Sequence, residues 1–139
     1  MTSEPIVISH RDGLAFVARV GDHSIVTDQP PSNGGADAGP SPLDLLSAGL
    51  GSCIALYVTQ FCIARNLPHE GMRVEVTSHK VRDPSRIAEF AVQVVLPEGI
   101  PPHYISLIER VARSCPAHNT LERGATVAVQ TTMVTASRI

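Results

Sequence analysis

The sequence predicts an α+β fold in the order βββ-α-ββ-α-β, with curved, mainly antiparallel sheets packed on a long central helix. Three observations lead there. Apolar residues alternate with a period of two across residues 5–28 and again across 72–96, the spacing of half-buried strands. Between these stretches runs a segment without charge, Leu45 to Ala64, which begins on a helix-capping sequence. Short turns rather than long linkers separate the segments, so the 139 residues read as one domain, 1–139.

Each element has its own local reason. The first strand, Pro5 to His10, passes through Asp12-Gly13, a favoured hairpin dipeptide, into a second strand, Leu14 to Val20. Gly21-Asp22 turns the chain into a third strand, His23 to Thr27. Residues 29–41, QPPSNGGADAGPS, lack any periodicity and form a loop. Ser41 then caps a helix, with Pro42 at its first position and Asp44 in the first turn, where the helix dipole favours an acid. That helix should end near Asn66, ahead of Pro68. Two strands follow, Met72–Lys80 and Ile87–Leu96, linked through Asp83-Pro84-Ser85. Pro101-Pro102 opens a second helix with Ile105, Ile108, Val111 and Cys115 along one apolar face. Pro116 breaks it, Pro116–Arg123 forms a further helical turn, and Ala125–Thr135 closes the fold as a final strand.

Composition narrows the function. A formal net charge of -2 provides no electrostatic footprint for nucleic acid, and with no tryptophan, three Phe and two Tyr there is no base-stacking platform. Three cysteines, an odd number, argue against a secreted disulfide framework. The N-terminal MTSEPIVISHRDG lacks the basic and apolar regions of a signal peptide, so a cytoplasmic location is expected. Leu45–Ala64 has the length of a membrane span. It nevertheless carries Ser47, Gly49, Gly51, Ser52, Thr59 and Gln60 with no preceding basic cluster, and reads as a helix buried in protein, not in a membrane. One small sheet cannot cover such a helix on every side, so a homodimer is expected.

The chemistry rests on cysteine. Cys53 lies twelve residues past the helix cap, beyond the reach of the helix dipole, and burial alone would keep its thiol inert. It is either a small core residue or a reactive thiol activated by a nearby cation. Bringing a thiol from about 8.5 to about 6 takes roughly 3.4 kcal/mol, within the range of one partly desolvated arginine. Gly49 and Gly51, each costing about 1 kcal/mol in a helix, point to a close approach beside Cys53. Cys115 precedes a proline, where the chain must leave helical geometry, and it is also placed to begin the next short helix. Cys62, nine residues after Cys53, points to the opposite side of the helix and reads as core. Cys115-x-x-His118 has ligand-like spacing, but a structural zinc site wants a second local pair, which is lacking. His10, His23, His69, His79 and His103 show no ligating pattern.

Taken together, HRDG, DQPPSNGGADAGPSPLDLLSAGLGSC and ARSCPAHNTL resemble, in order and over nearly the whole chain, the OsmC/Ohr family of osmotically inducible and organic hydroperoxide resistance proteins, in its OsmC-like branch. The resemblance implies an OsmC-like fold, an intertwined homodimer with active sites at the subunit interface, and a thiol-dependent peroxidase. It maps the peroxidatic cysteine onto Cys53 and the resolving cysteine onto Cys115, with an intervening Cys53 sulfenic acid and a Cys53–Cys115 disulfide. The activating arginine maps onto Arg11, with Arg19 as the alternative. The family's glutamate position is occupied by Leu43, and the neighbouring acid is Asp44. The substrate implied is a small organic hydroperoxide, admitted by an apolar wall of Leu46, Leu50, Ile54 and Tyr57. An external dithiol would be the reductant, with no metal or organic cofactor. The competing expectation is a redox-sensing or small-molecule-binding module that keeps the fold and the thiol without turnover.

Overall fold

The computed structural model describes residues 4–134. Three strands come first: β1 (Val7–Asp12), β2 (Ala15–Val20) and β3 (His23–Thr27), an antiparallel sheet in the order β1-β2-β3. The turn between β1 and β2 is Gly13-Leu14 rather than Asp12-Gly13. The shift has a local cause. His10 pairs with Phe16 and Asp12 with Ala15, so Arg11 is the extra residue of a β-bulge and the strand runs on through Asp12. Gly13 then takes the left-handed conformation, φ 50°, that the turn requires.

Helix α1 (Pro42–Ala64) begins as its capping sequence dictates: the Ser41 hydroxyl accepts from the Asp44 N–H at 3.2 Å, and Pro42 occupies the first turn. Strands β4 (Arg73–Val81) and β5 (Arg86–Val95) form an antiparallel hairpin in a second sheet. The proline pair at 101–102 starts a single 3-10 turn, Pro102–Tyr104, which leads into α2 (Ile105–Arg113). Its buried residues are Ile108 and Ala112, while Ile105 is largely exposed and Cys115 lies past its end. Helix α3 (Pro116–Arg123) has the expected bounds.

The core forms where one side of α1 meets the later elements. Leu50, Ile54, Val58 and Cys62, four residues apart along one stripe of α1, bury with Ile108, Ala112 and Cys115. The inward residues of the hairpin, including Val74, Val76, Phe90, Val92 and Val94, close over them. Each such side chain contributes about 1.5–3 kcal/mol when fully covered, so this stripe carries much of the fold's stability. By length and hydropathy α1 could cross a bilayer, but here this stripe is spent on protein.

Of the two helical glycines, one explains itself. A Cβ on Gly51 would lie 3.0 Å from Cγ2 of Val76, so β4 sits on the helix at the spot where glycine makes room. Gly49 has open space around it. Gly51→Leu should therefore lower stability by about 2 kcal/mol through overpacking, read as a reduced urea midpoint at unchanged slope.

Two parts of the chain lack partners. No helix, and neither strand of the second sheet, packs extensively on β1–β3, which stands away as an arm. The expected closing strand, Ala125–Thr135, is not formed over 125–134, and Thr135 lies outside the described residues. Val127, Val129 and Met133 are 81%, 82% and 88% exposed. Alternation alone does not make a strand: its N–H and C=O groups need a neighbouring edge, and among the described residues no strand of the same chain pairs here. The outer side of α1 is equally uncovered, with Leu46, Leu56 and Ile63 about half exposed.

Candidate active site

Folding brings two of the sequence-predicted residues together. Cys53, half-buried on α1, packs against the core cluster that holds Cys115, its side chain beside that thiol, and both are free. Cys115 is fully buried. It is the N-cap of α3, with extended backbone, and its Sγ accepts from the His118 N–H at 3.2 Å. Pro116 at N1 enforces this placement, because proline ends the preceding helix and opens the next. Burial pushes the Cys115 thiol above its ordinary range, and Cys53 beside it pushes the same way, while the N–H groups of His118 and Ala117 pull against them. The pair is asymmetric: one sulfur half open to approach, the other enclosed and held neutral. In the native protein iodoacetamide should alkylate Cys53 well before Cys115 or Cys62, which is also fully buried; peptide mass mapping of partial reactions reads the order.

Arg11, Arg19 and Asp44 are not joined to the pair within the chain. Arg11 sits at the bulge of the exposed arm, Arg19 donates from Nη1 to Ser24 Oγ at 3.4 Å, and Asp44 is exposed in the first turn of α1. Nine residues of helix separate Asp44 from Cys53, about 13 Å along the axis and half a turn around it. The apolar wall divides likewise: Leu50 and Ile54 are core, Tyr57 is half-buried and Leu46 is mostly exposed.

Two residues escaped the sequence reading. Asp28, 2% exposed, accepts from the N–H groups of Gln29 at 2.7 Å, Ala36 at 3.2 Å and Ala38 at 3.1 Å. Its carboxylate thus folds the glycine-rich loop that delivers the chain to Ser41 and α1. The loop is tight: a Cβ on Gly35 would collide with the Gln29 carbonyl, and one on Gly39 with the Val26 carbonyl. An aspartate directly before a Gly/Asn-rich loop is the signal that could have found it. The hydrogen bonds, that from Ala38 foremost, hold the Asp28 carboxyl below its ordinary 3.8. A lowered folded value means stability that is present above the unfolded value and lost as pH falls through the folded one. Acid melts should therefore steepen below about pH 4. Asp28→Asn should flatten that limb and lower the neutral Tm by about 5 °C. The second residue is His118, whose Nδ1 is buried with no hydrogen-bond partner among the described residues and whose Nε2 lies 3.8 Å from Glu122 Oε1.

With this geometry in place, residues 34–130 match the family model described as OsmC-like protein. The chain belongs to the OsmC-like protein family, within the wider OsmC/Ohr group. No curated protein sequence matches it. Its fold is shared with solved structures. An OsmC-like protein of Mycoplasma pneumoniae is 22% identical, covers 87% of this chain and 88% of its own, and superposes with a TM-score of 0.75. A Psychrobacter arcticus protein provisionally assigned to osmotic stress and detoxification is also 22% identical, with 86% and 89% covered and a TM-score of 0.79. An organic hydroperoxide resistance protein of Elizabethkingia anophelis is 21% identical, with 86% and 89% covered and a TM-score of 0.56. This OsmC-like protein therefore shares its α+β architecture with these three proteins. At these identities the likeness is one of fold.

Proposed function

We propose that the protein is a thiol-dependent peroxidase that reduces organic hydroperoxides to alcohols. The observation that carries this reading is the half-open Cys53 thiol within reach of the enclosed Cys115 thiol, on a fold shared with organic hydroperoxide resistance proteins. The Cys53 thiolate attacks the distal peroxide oxygen; the O–O bond breaks, the alkoxide leaves and is protonated to the alcohol, and Cys53 becomes a sulfenic acid. Cys115 then displaces hydroxide from that sulfur, forming a disulfide and water. An external dithiol returns both cysteines to thiols by exchange. The apolar core residues around the pair favour hydrophobic peroxides over hydrogen peroxide.

The working unit in this reading is a homodimer in the cytoplasm, where a dithiol pool is at hand. Its support is threefold: an arm on which no helix and no strand of the second sheet packs extensively, an unpaired apolar C-terminal segment, and the bare outer side of α1. The arm of a second protomer brings Arg11 to Cys53, with Asp44 as the counter-ion candidate. The bulge that re-aims Arg11 supports its role, since bulges recur beside active sites. Light scattering of the purified protein should return twice the chain mass of 14.8 kDa.

The test is consumption of cumene hydroperoxide with dihydrolipoamide or dithiothreitol in excess. Many turnovers per Cys53 support the enzyme. One equivalent consumed and no more supports the redox sensor, a reading favoured by Leu43 where the family carries glutamate.

A further inference from the structure

We infer that His118 is the proton acceptor of the resolving step, taking the Cys115 thiol proton at Nδ1 as Cys115 Sγ attacks the sulfenic sulfur of Cys53. This rests on the two-cysteine reading above. The step balances: the S–H and S–O bonds break, the S–S bond forms, and the proton held by His118 passes to the departing hydroxide as water. No further oxidant or reductant enters.

Cys115 is the N-cap of α3 and His118 is its third residue, the positions of a capping box, in which the third side chain reaches back toward the cap. The first half of the box is made, by the His118 N–H to Cys115 Sγ at 3.2 Å. The second half is open, because Nδ1 is buried and has no hydrogen-bond partner among the described residues. Nε2 faces outward to the Glu122 carboxylate at 3.8 Å. At that distance the carboxylate makes no hydrogen bond, but its negative charge favours the proton on Nε2, which leaves the inner Nδ1 lone pair free as a base. Nδ1 and Sγ make no hydrogen bond in the resting thiol form, so the ring links the enclosed thiol to the surface through one bridging water.

The chemistry requires such a group. A fully buried thiol cannot release its proton to bulk water, and the sulfenic oxygen of Cys53 leaves as water only if it receives that proton. Two hollows meet at His118, one bounded by Glu109 and Arg113 of α2 and the other by Glu89 of β5 and Glu122 of α3. Their carboxylates are weak bases toward a thiol, whereas imidazole is the side chain most often used as a general base.

The experiment follows both steps after mixing with tert-butyl hydroperoxide, by rapid quench into dimedone and N-ethylmaleimide and intact mass. Sulfenic acid and disulfide are then counted separately. In His118→Gln the rate of closure, relative to the first oxidation, should fall by about 10–100-fold at pH 7. The pH dependence of closure should also differ between His118→Gln and the wild type. In His118→Ala, added imidazole should restore closure, which no purely structural role would allow; the backbone cap on Cys115 survives both changes. Closure of His118→Gln at the wild-type rate and pH profile overturns the assignment, as does a slow His118→Ala that imidazole cannot rescue. A wild type that never forms the disulfide removes the two-cysteine reading and this one with it, and the same masses reveal it.

Discussion

Cys53→Ser abolishes hydroperoxide turnover, by about 10³-fold or more, while leaving the protein folded. Serine is nearly the size of cysteine, but its hydroxyl stays protonated where a thiol ionises, and oxygen does not form the sulfenic intermediate. The site tolerates the exchange because Cys53 is only half-buried on α1 and takes no part in the fully enclosed core. Thermal unfolding should therefore stay within a few degrees of the wild type, so that loss of activity reports chemistry. Coupled consumption of dihydrolipoamide and cumene hydroperoxide measures it. Retained turnover in this variant would remove Cys53 from the mechanism.

Cys115→Ser acts one step later, and its signature is a product rather than a rate. Cys53 still oxidises, but with no resolving thiol the sulfenic acid meets a second peroxide and becomes sulfinic acid, a gain of about 32 Da over the thiol. We expect this species to dominate after a few equivalents of peroxide, with the wild type showing about a tenth as much. The substitution is structurally mild. Serine is among the preferred N-cap residues, so its hydroxyl can accept the His118 N–H that Sγ accepts now, and α3 keeps its start. Equal over-oxidation of the wild type would deny Cys115 the resolving role.

What could be read without coordinates follows one physical line. Wherever backbone chemistry is local, the sequence was enough. Ser41-Pro42 starts α1 because the cap hydroxyl and the proline ring act within one turn. Gly21-Asp22 turns β2 into β3, and Cys115-Pro116 opens α3, for the same reason. The period-two runs placed β4 and β5 to within a residue at each end. The β1–β2 turn was missed by one residue, because a bulge depends on how two strands pair and leaves no mark in either strand alone. Ala125–Thr135 carries a strand's alternation, yet 125–134 stay unpaired, since a strand is defined by the edge it meets.

The site divides in the same way. Two cysteines of different setting, and the family they indicate, were legible in the residues and their order. Their meeting was not: 62 positions apart, Cys53 and Cys115 come together only because α2 and α3 fold back over the buried stripe of α1. The loop-holding role of Asp28 and the unsatisfied nitrogen of His118 are also tertiary facts, because hydrogen-bond supply and burial depend on neighbours distant in sequence. The chain by itself determined its elements and its reactive atoms, through forces that act over a few residues. Which of those atoms share an enclosure, and which remain exposed on an arm, was decided by packing.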